Sequence, residues 1–198
     1  MAFNTLVEIA ATLCGLVYIL FMIRERIICW PFGIAGSMLS IYLFVENHLY
    51  SEAILYLFYV VMGFWGWQRW ARRETLAHNN PVVHYSFLQH LPLLLASALG
   101  SFALGWFFST FTDAARPWFD ATTTVFSFTA TYFEVKKVLE TWLYWIVLNA
   151  ASIWLYADRS LDIYAALICV YTVLSVWGLV QWWLAWRREN CLQAQAAD

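Results

Sequence analysis

Two indoles and an amide stand at helical spacing in the last third of the chain: Trp142, Trp145 and Asn149 follow one another at intervals of 3 and 4 residues, which places them on one face of a helix. An indole face stacks on flat rings and attracts cations, and a side-chain amide fixes the orientation of a bound ring by hydrogen bonding. The chemistry such a face can do is the recognition of a flat aromatic solute. A second polar face lies upstream, where Asp120, Thr124, Ser127, Thr131 and Glu134 are spaced by 4, 3, 4 and 3, with Thr123 beside them. Ionisable and amide groups at bilayer depth are costly and are functional candidates by default. Plainer roles compete with each of these. The hydroxyls can bond back to their own helix, Asp120 can cap it, Glu134 can pair with Lys136 or Lys137, and Asn149 can bond a neighbouring helix. A third set consists of Tyr56, Tyr59, Gly63, Gly66 and Trp70, with Tyr171, Ser175, Gly178 and Trp182 as its counterpart. These residues suit ligand contact, interfacial anchoring or close helix packing.

No soluble-enzyme motif accompanies these residues: the chain has no Gly-rich phosphate loop, no nucleophile elbow and no HExxH helix, and it is not expected to be an enzyme or to hold a cofactor. His78 and His84 lie close in sequence, but no third ligand stands nearby, so a solvated linker is expected there and no metal site. Cys14, Cys29, Cys169 and Cys191 lack metal or redox spacing and read as small apolar residues. A net charge of −2 leaves no footprint for nucleic acid.

The elements that must position these faces are membrane helices. Of the 198 residues 63% are hydrophobic and only 12% charged, too much apolar surface for a soluble core, so the lipid bilayer is part of the solvent. Seven spans are expected, at about 5–23, 29–46, 51–68, 88–110, 119–135, 142–157 and 162–186. The N-terminal segment lacks a basic n-region and reads as the first span, not as a cleaved signal. With the N-terminus outside, Arg24, Arg26, Arg69, Arg72, Arg73, Lys136, Lys137, Arg187 and Arg188 face the cytoplasm, and only Arg116 and Arg159 face out. The positive-inside rule therefore sets N-out, C-in, with a cytoplasmic loop at about 71–87.

The sequence also resembles itself at an offset of 112 residues. Trp30, Trp65, Gly66 and Trp70 match Trp142, Trp177, Gly178 and Trp182, and 15 of the 63 gapless positions between 8–70 and 120–182 are identical, Leu49 with Leu161 and Tyr59 with Tyr171 among them. The offset crosses four spans, so the two copies point the same way, as in carriers built of parallel repeats. The expected organisation is a first three-helix bundle at 1–70, a cytoplasmic loop and linker helix at 71–118, a second three-helix bundle at 119–186 and a cytoplasmic tail at 187–198.

Segment 30–70, WPFGIAGSMLSIYLFVENHLYSEAILYLFYVVMGFWGWQRW, resembles the first repeat of the PnuC-type vitamin transporters in its LY…A…FYV…G…GW..W skeleton. Segment 119–157, FDATTTVFSFTATYFEVKKVLETWLYWIVLNAASIWLYA, resembles the second repeat, with the D-x-x-T-T, K/R-K and W-x-x-W-x-x-x-N elements. The resemblance implies an all-α membrane protein similar in fold to full-length SWEET carriers, with two parallel three-helix bundles around a linker helix. It implies a homotrimer in the bacterial inner membrane that takes up nicotinamide riboside by facilitated diffusion, trapped inside by phosphorylation. Relatives with thiamine, riboflavin or deoxynucleosides as substrate leave thiamine or another vitamin as the alternative cargo. By motif, Trp145 and Asn149 carry over as substrate-binding residues, with Trp142, Asp120, Thr123 and Thr124 behind them. Tyr56 stands where many members have Gln, and Glu134 where an apolar residue is commoner. The rival readings are a proton-coupled carrier, with Glu134 or Asp120 as relay, and a membrane scaffold that transports nothing.

Overall fold

The computed structural model describes residues 2–46, 50–77, 81–112, 116–158 and 162–197. His78, Asn79, Asn80, Arg159 and the Leu49/Leu161 pair lie outside the described residues. Seven α-helices run through the described residues: α1 Ala2–Ile23, α2 Cys29–Glu46, α3 Tyr50–Ala77, α4 Phe87–Phe111, α5 Pro117–Val135, α6 Thr141–Asp158 and α7 Asp162–Ala197. A helix satisfies its own backbone polar groups, which is what a lipid environment demands. Four helices hold a segment long and apolar enough to cross a membrane: Phe3–Ile23, Cys29–Glu46, Phe87–Phe111 and Ala166–Leu192. Large apolar side chains such as Leu88, Leu99 and Val173 point outward on these helices, 75%, 73% and 69% exposed, a display that suits lipid and not water. The chain is thus an all-α, multi-pass membrane protein.

Each helix starts or stops for a local reason. Pro117 opens α5, where its missing N–H is no loss. At the start of α4, Gln89 Oε1 accepts from the Ser86 backbone N–H at 2.7 Å and from its hydroxyl at 3.2 Å, reaching back as in a capping box. Two helices outrun expectation. α3 continues to Ala77, through much of the stretch read as a loop, and α7 continues to Ala197, through the stretch read as a tail. Both extensions are rich in Ala and Arg, with Glu in each and Gln in the second, residues that favour the helix outside the membrane as well as in it.

The chain divides into two compact units, 1–81 and 82–198. In the first, α2 packs against both α1 and α3; in the second, α5 packs against α4 and α6, and α6 against α7. The α1–α2 and α5–α6 turns are alike in detail. Glu25 and Lys137, 112 residues apart, both sit in the left-handed region at φ 56°. The Glu25 N–H donates to Met22 C=O at 3.0 Å and the Arg26 N–H to Phe21 C=O at 3.0 Å; the Lys137 N–H donates to Glu134 C=O at 3.0 Å and the Val138 N–H to Phe133 C=O at 2.9 Å. This is the Schellman closure of a helix, which leaves few carbonyls orphaned. Past each turn an indole is driven into the next helix. Trp30 and Trp142 are each 1% exposed. Trp30 meets Trp70 edge to face at 5.4 Å and 89°, and Trp142 meets Trp182 at 5.3 Å and 86°. Gly66 and Gly178 make room for the rings, since a Cβ there would stand 2.3 Å from Trp30 Cη2 and 2.6 Å from Trp142 Cη2.

Candidate functional site

On α5 the Ser127 and Thr131 hydroxyls of the stripe, and Thr123 beside it, are fixed by their own helix. Thr123 donates to Phe119 C=O at 3.0 Å and Asp120 C=O at 3.1 Å, Ser127 to Thr123 C=O at 2.7 Å, and Thr131 to Ser127 C=O at 2.8 Å. With each proton committed to the preceding turn, the oxygens keep lone pairs only. The stripe therefore presents acceptors, which suit a ligand's hydroxyls or a positive charge. Asp120 and Thr124 are half-buried near the start of the helix, and Glu134 is buried, 4% exposed, at its end. Fourteen residues of rise separate Asp120 from Glu134, about 21 Å along the axis, so the two carboxylates cannot grip one small solute together. Lys136 Nζ lies 4.4 Å from the centre of the Tyr132 ring.

α6 enters from the α5–α6 turn, tied to α5 by the Thr141 hydroxyl, which donates to Ala130 C=O at 2.8 Å. Trp142, just inside, fills the space over Gly178 and packs the helices. Trp145 is half-buried one turn on, and Asn149 half-buried a turn further. By axial rise Asn149 lies about 12 Å into α6, level with Ser127 on α5, whereas Asp120 is about 10 Å beyond that level. Asn149 Nδ2 donates to Ser175 Oγ at 3.4 Å, and the Ser175 hydroxyl donates to Tyr171 C=O at 2.8 Å. Asn149 is thus joined through Ser175 to the backbone of Tyr171 and not to its ring. Tyr56 and Tyr59 belong to the first unit, where their rings meet at 5.4 Å and Tyr56 also meets Phe44 at 5.0 Å.

One polar cluster escaped the sequence reading. Glu140, at the α5–α6 turn, pairs with His84 Nδ1 through Oε1 and accepts from the Tyr85 N–H through Oε2 at 3.2 Å. Its Oε2 lies 3.7 Å from Nε2 of His90, which is 6% exposed inside α4 and meets the Tyr144 hydroxyl through Nδ1 at 3.2 Å. The segment before α4 is pinned here: the Val83 N–H donates to Lys137 C=O at 2.9 Å and the Leu139 N–H to Val83 C=O at 2.8 Å. His84 is engaged by a carboxylate and an edge-on Trp186 ring at 5.5 Å. The signal available in sequence was His90, an ionisable residue inside an apolar run.

A helical membrane protein with acceptor hydroxyls on one helix and an indole and amide on the next has the makings of a solute carrier. The family model of the nicotinamide mononucleotide transporters matches residues 5–184. The riboflavin/roseoflavin transporter RibM of Streptomyces davaonensis is 22% identical over 92% of this chain and 87% of its own length. The nicotinamide riboside transporter PnuC of Escherichia coli is 22% identical over 89% of this chain and 84% of its own, and that of Neisseria mucosa 26% identical over 87% and 70%. The crystal structure of a vitamin B3 transporter PnuC shares the fold with a TM-score of 0.75 at 23% identity, over 93% of this chain and 83% of that one. The chain belongs to the PnuC-type vitamin transporter family, and it is a transporter and not an enzyme.

Proposed function

We propose that this chain carries nicotinamide riboside across the bacterial inner membrane by facilitated diffusion, with cytosolic phosphorylation trapping the cargo. In this reading it has seven spans, N-out and C-in, is built as two parallel copies of a three-helix unit, and works as a homotrimer. The matched turns at Glu25 and Lys137 and the matched Trp–Gly contacts support the duplication. The less apolar α3, α5 and α6 span beside the four apolar segments; in α5 and α6 the Thr123, Ser127, Thr131 and Ser152 hydroxyls are turned to their own backbone. In the second unit the binding face is Trp145 and Asn149 on α6, with Trp142 as support, Tyr171 as a further contact, and Thr123, Thr124 and Asp120 toward the outer end; Glu134 stands apart at the inner end of α5, and Tyr56 and Tyr59 are the aromatic candidates of the first unit.

The observation that carries this reading is the pair on α6: a half-buried indole one turn from a half-buried amide that is steadied from α7. A pyridinium ring stacks on the indole and its edge reaches the amide. In this reading net flux follows the gradient. The test is titration of the purified protein with nicotinamide riboside, read by tryptophan fluorescence. Saturable quenching is expected, and Asn149→Ala weakens it about tenfold, the loss of one hydrogen bond of roughly 1–2 kcal/mol. Unchanged affinity in that variant removes Asn149 from the site. The likeness to RibM favours riboflavin as the second reading, in which that ring alone quenches; thiamine is the third compound to titrate.

A further inference from the structure

The orientation of the Asn149 amide is set by Ser175, a residue outside the proposed contact set. Ser175 is 1% exposed on α7. Its oxygen stands 2.8 Å from Tyr171 C=O and 3.4 Å from the Asn149 amide. A hydroxyl has one proton and two lone pairs. The carbonyl lies at the usual O–H···O length and the amide well beyond it, so the proton goes to Tyr171. Toward Asn149 the Ser175 oxygen can only accept. The amide must then turn its NH2 group to α7, because the opposite flip would set Oδ1 against lone pairs. Oδ1 makes no hydrogen bond among the described residues. It is left as the acceptor for whatever lies against α6.

The matching positions of the first unit hold no such device. The positions 112 residues earlier are Ser37 and Gly63, and a Cβ at Gly63 would stand 2.7 Å from Ile34 Cγ1. No orienting side chain fits there, so this polar arrangement belongs to α6 and α7.

We infer that Ser175 is a positioning residue that makes Asn149 an acceptor toward the ligand, so that the carrier selects flat rings whose edge donates an N–H. This rests on the reading that Asn149 touches the ligand. The carboxamide of a nicotinamide ring and the imide of a flavin meet the requirement, whereas their carboxylate and N-methyl analogues oppose lone pairs or a methyl group to Oδ1.

The experiment titrates the full chain with two matched pairs: nicotinamide riboside against nicotinic acid riboside, and riboflavin against N3-methylriboflavin. For the parent ring that quenches the wild type, its analogue is expected to bind on the order of tenfold to a hundredfold more weakly. Ser175→Ala frees the amide to flip, and the preference falls to about threefold or less with the parent's own affinity little changed. Ser175→Thr keeps the hydroxyl and keeps the preference. A Ser175→Ala protein that weakens both members of a pair equally, with the preference intact, overturns the inference and leaves the site standing. If Asn149→Ala alters neither affinity, or neither parent ring quenches the wild type, the site itself falls and the role of Ser175 with it.

Discussion

At the scale of single residues, the most consequential carboxylate is Glu140. It is 14% exposed and faces His84, the Tyr85 amide and His90. These partners are unequal. His84 is 52% exposed, so water screens its pairing and the contact adds little. If Glu140 were removed, the Tyr85 N–H would lose its acceptor and the buried His90 Nε2 the carboxylate beside it, His90 keeping only Tyr144 at Nδ1, which costs more. Glu140→Ala should therefore lower stability by about 1–3 kcal/mol and speed amide hydrogen exchange at Val83 and Tyr85. Exchange at wild-type rates in that segment would show that the backbone bridge to Lys137 and Leu139 holds it unaided. Residue chemistry was partly legible in the sequence. Asn149 was singled out from its type and spacing, but its partner on α7 depends on which helices meet, and no spacing within α6 encodes that. The hydroxyls of α5 were legible as a stripe, and their turn toward their own carbonyls is the local bond that Ser and Thr make when no neighbour competes.

At the scale of helices, boundaries followed from apolar length and charge. Residues 29–46 coincide with α2, while α3 and α7 outrun their expected ends because helix propensity continues where hydropathy stops. The glycines show what pattern alone leaves open. Gly66 and Gly178 were read as packing or hinge positions, and the structure assigns them the rings of Trp30 and Trp142. Replacing Gly by Ala in a helix gains up to about 1 kcal/mol in propensity, but overpacking a rigid ring costs about 1–3 kcal/mol. Gly66→Ala and Gly178→Ala should thus be net destabilising, read as a lower midpoint of thermal unfolding. Gly100→Ala is the control, since its added Cβ meets only the Val125 side chain, Cγ1 at 3.3 Å and Cγ2 at 3.8 Å, and it should be near neutral. Equal midpoints for all three would mean that the indoles move aside freely.

At the scale of the whole molecule, the orientation proposed from the charge count can be read from one native thiol. Cys191 is exposed on the last turns of α7, beyond Arg187 and Arg188. Arg187 covers the Trp183 ring at 4.4 Å, as expected where a helix leaves the bilayer for a basic interface. A membrane-impermeant maleimide should label Cys191 in inside-out vesicles and not in intact cells. The reverse result would invert the proposed topology. Cys29, buried at the α1–α2 turn, is shielded in either case. The two crossed indole pairs have an optical consequence too. Trp30 with Trp70 and Trp142 with Trp182 hold their transition dipoles at a fixed separation and angle, near enough to share excitation. Each pair should write a signed couplet on the far-ultraviolet circular dichroism, over and above the helix bands, and lose it when α2 parts from α3 or α6 from α7. With Trp70→Phe or Trp182→Phe silencing one pair at a time, the protein becomes its own ruler, reporting which of its units loosens as solute passes.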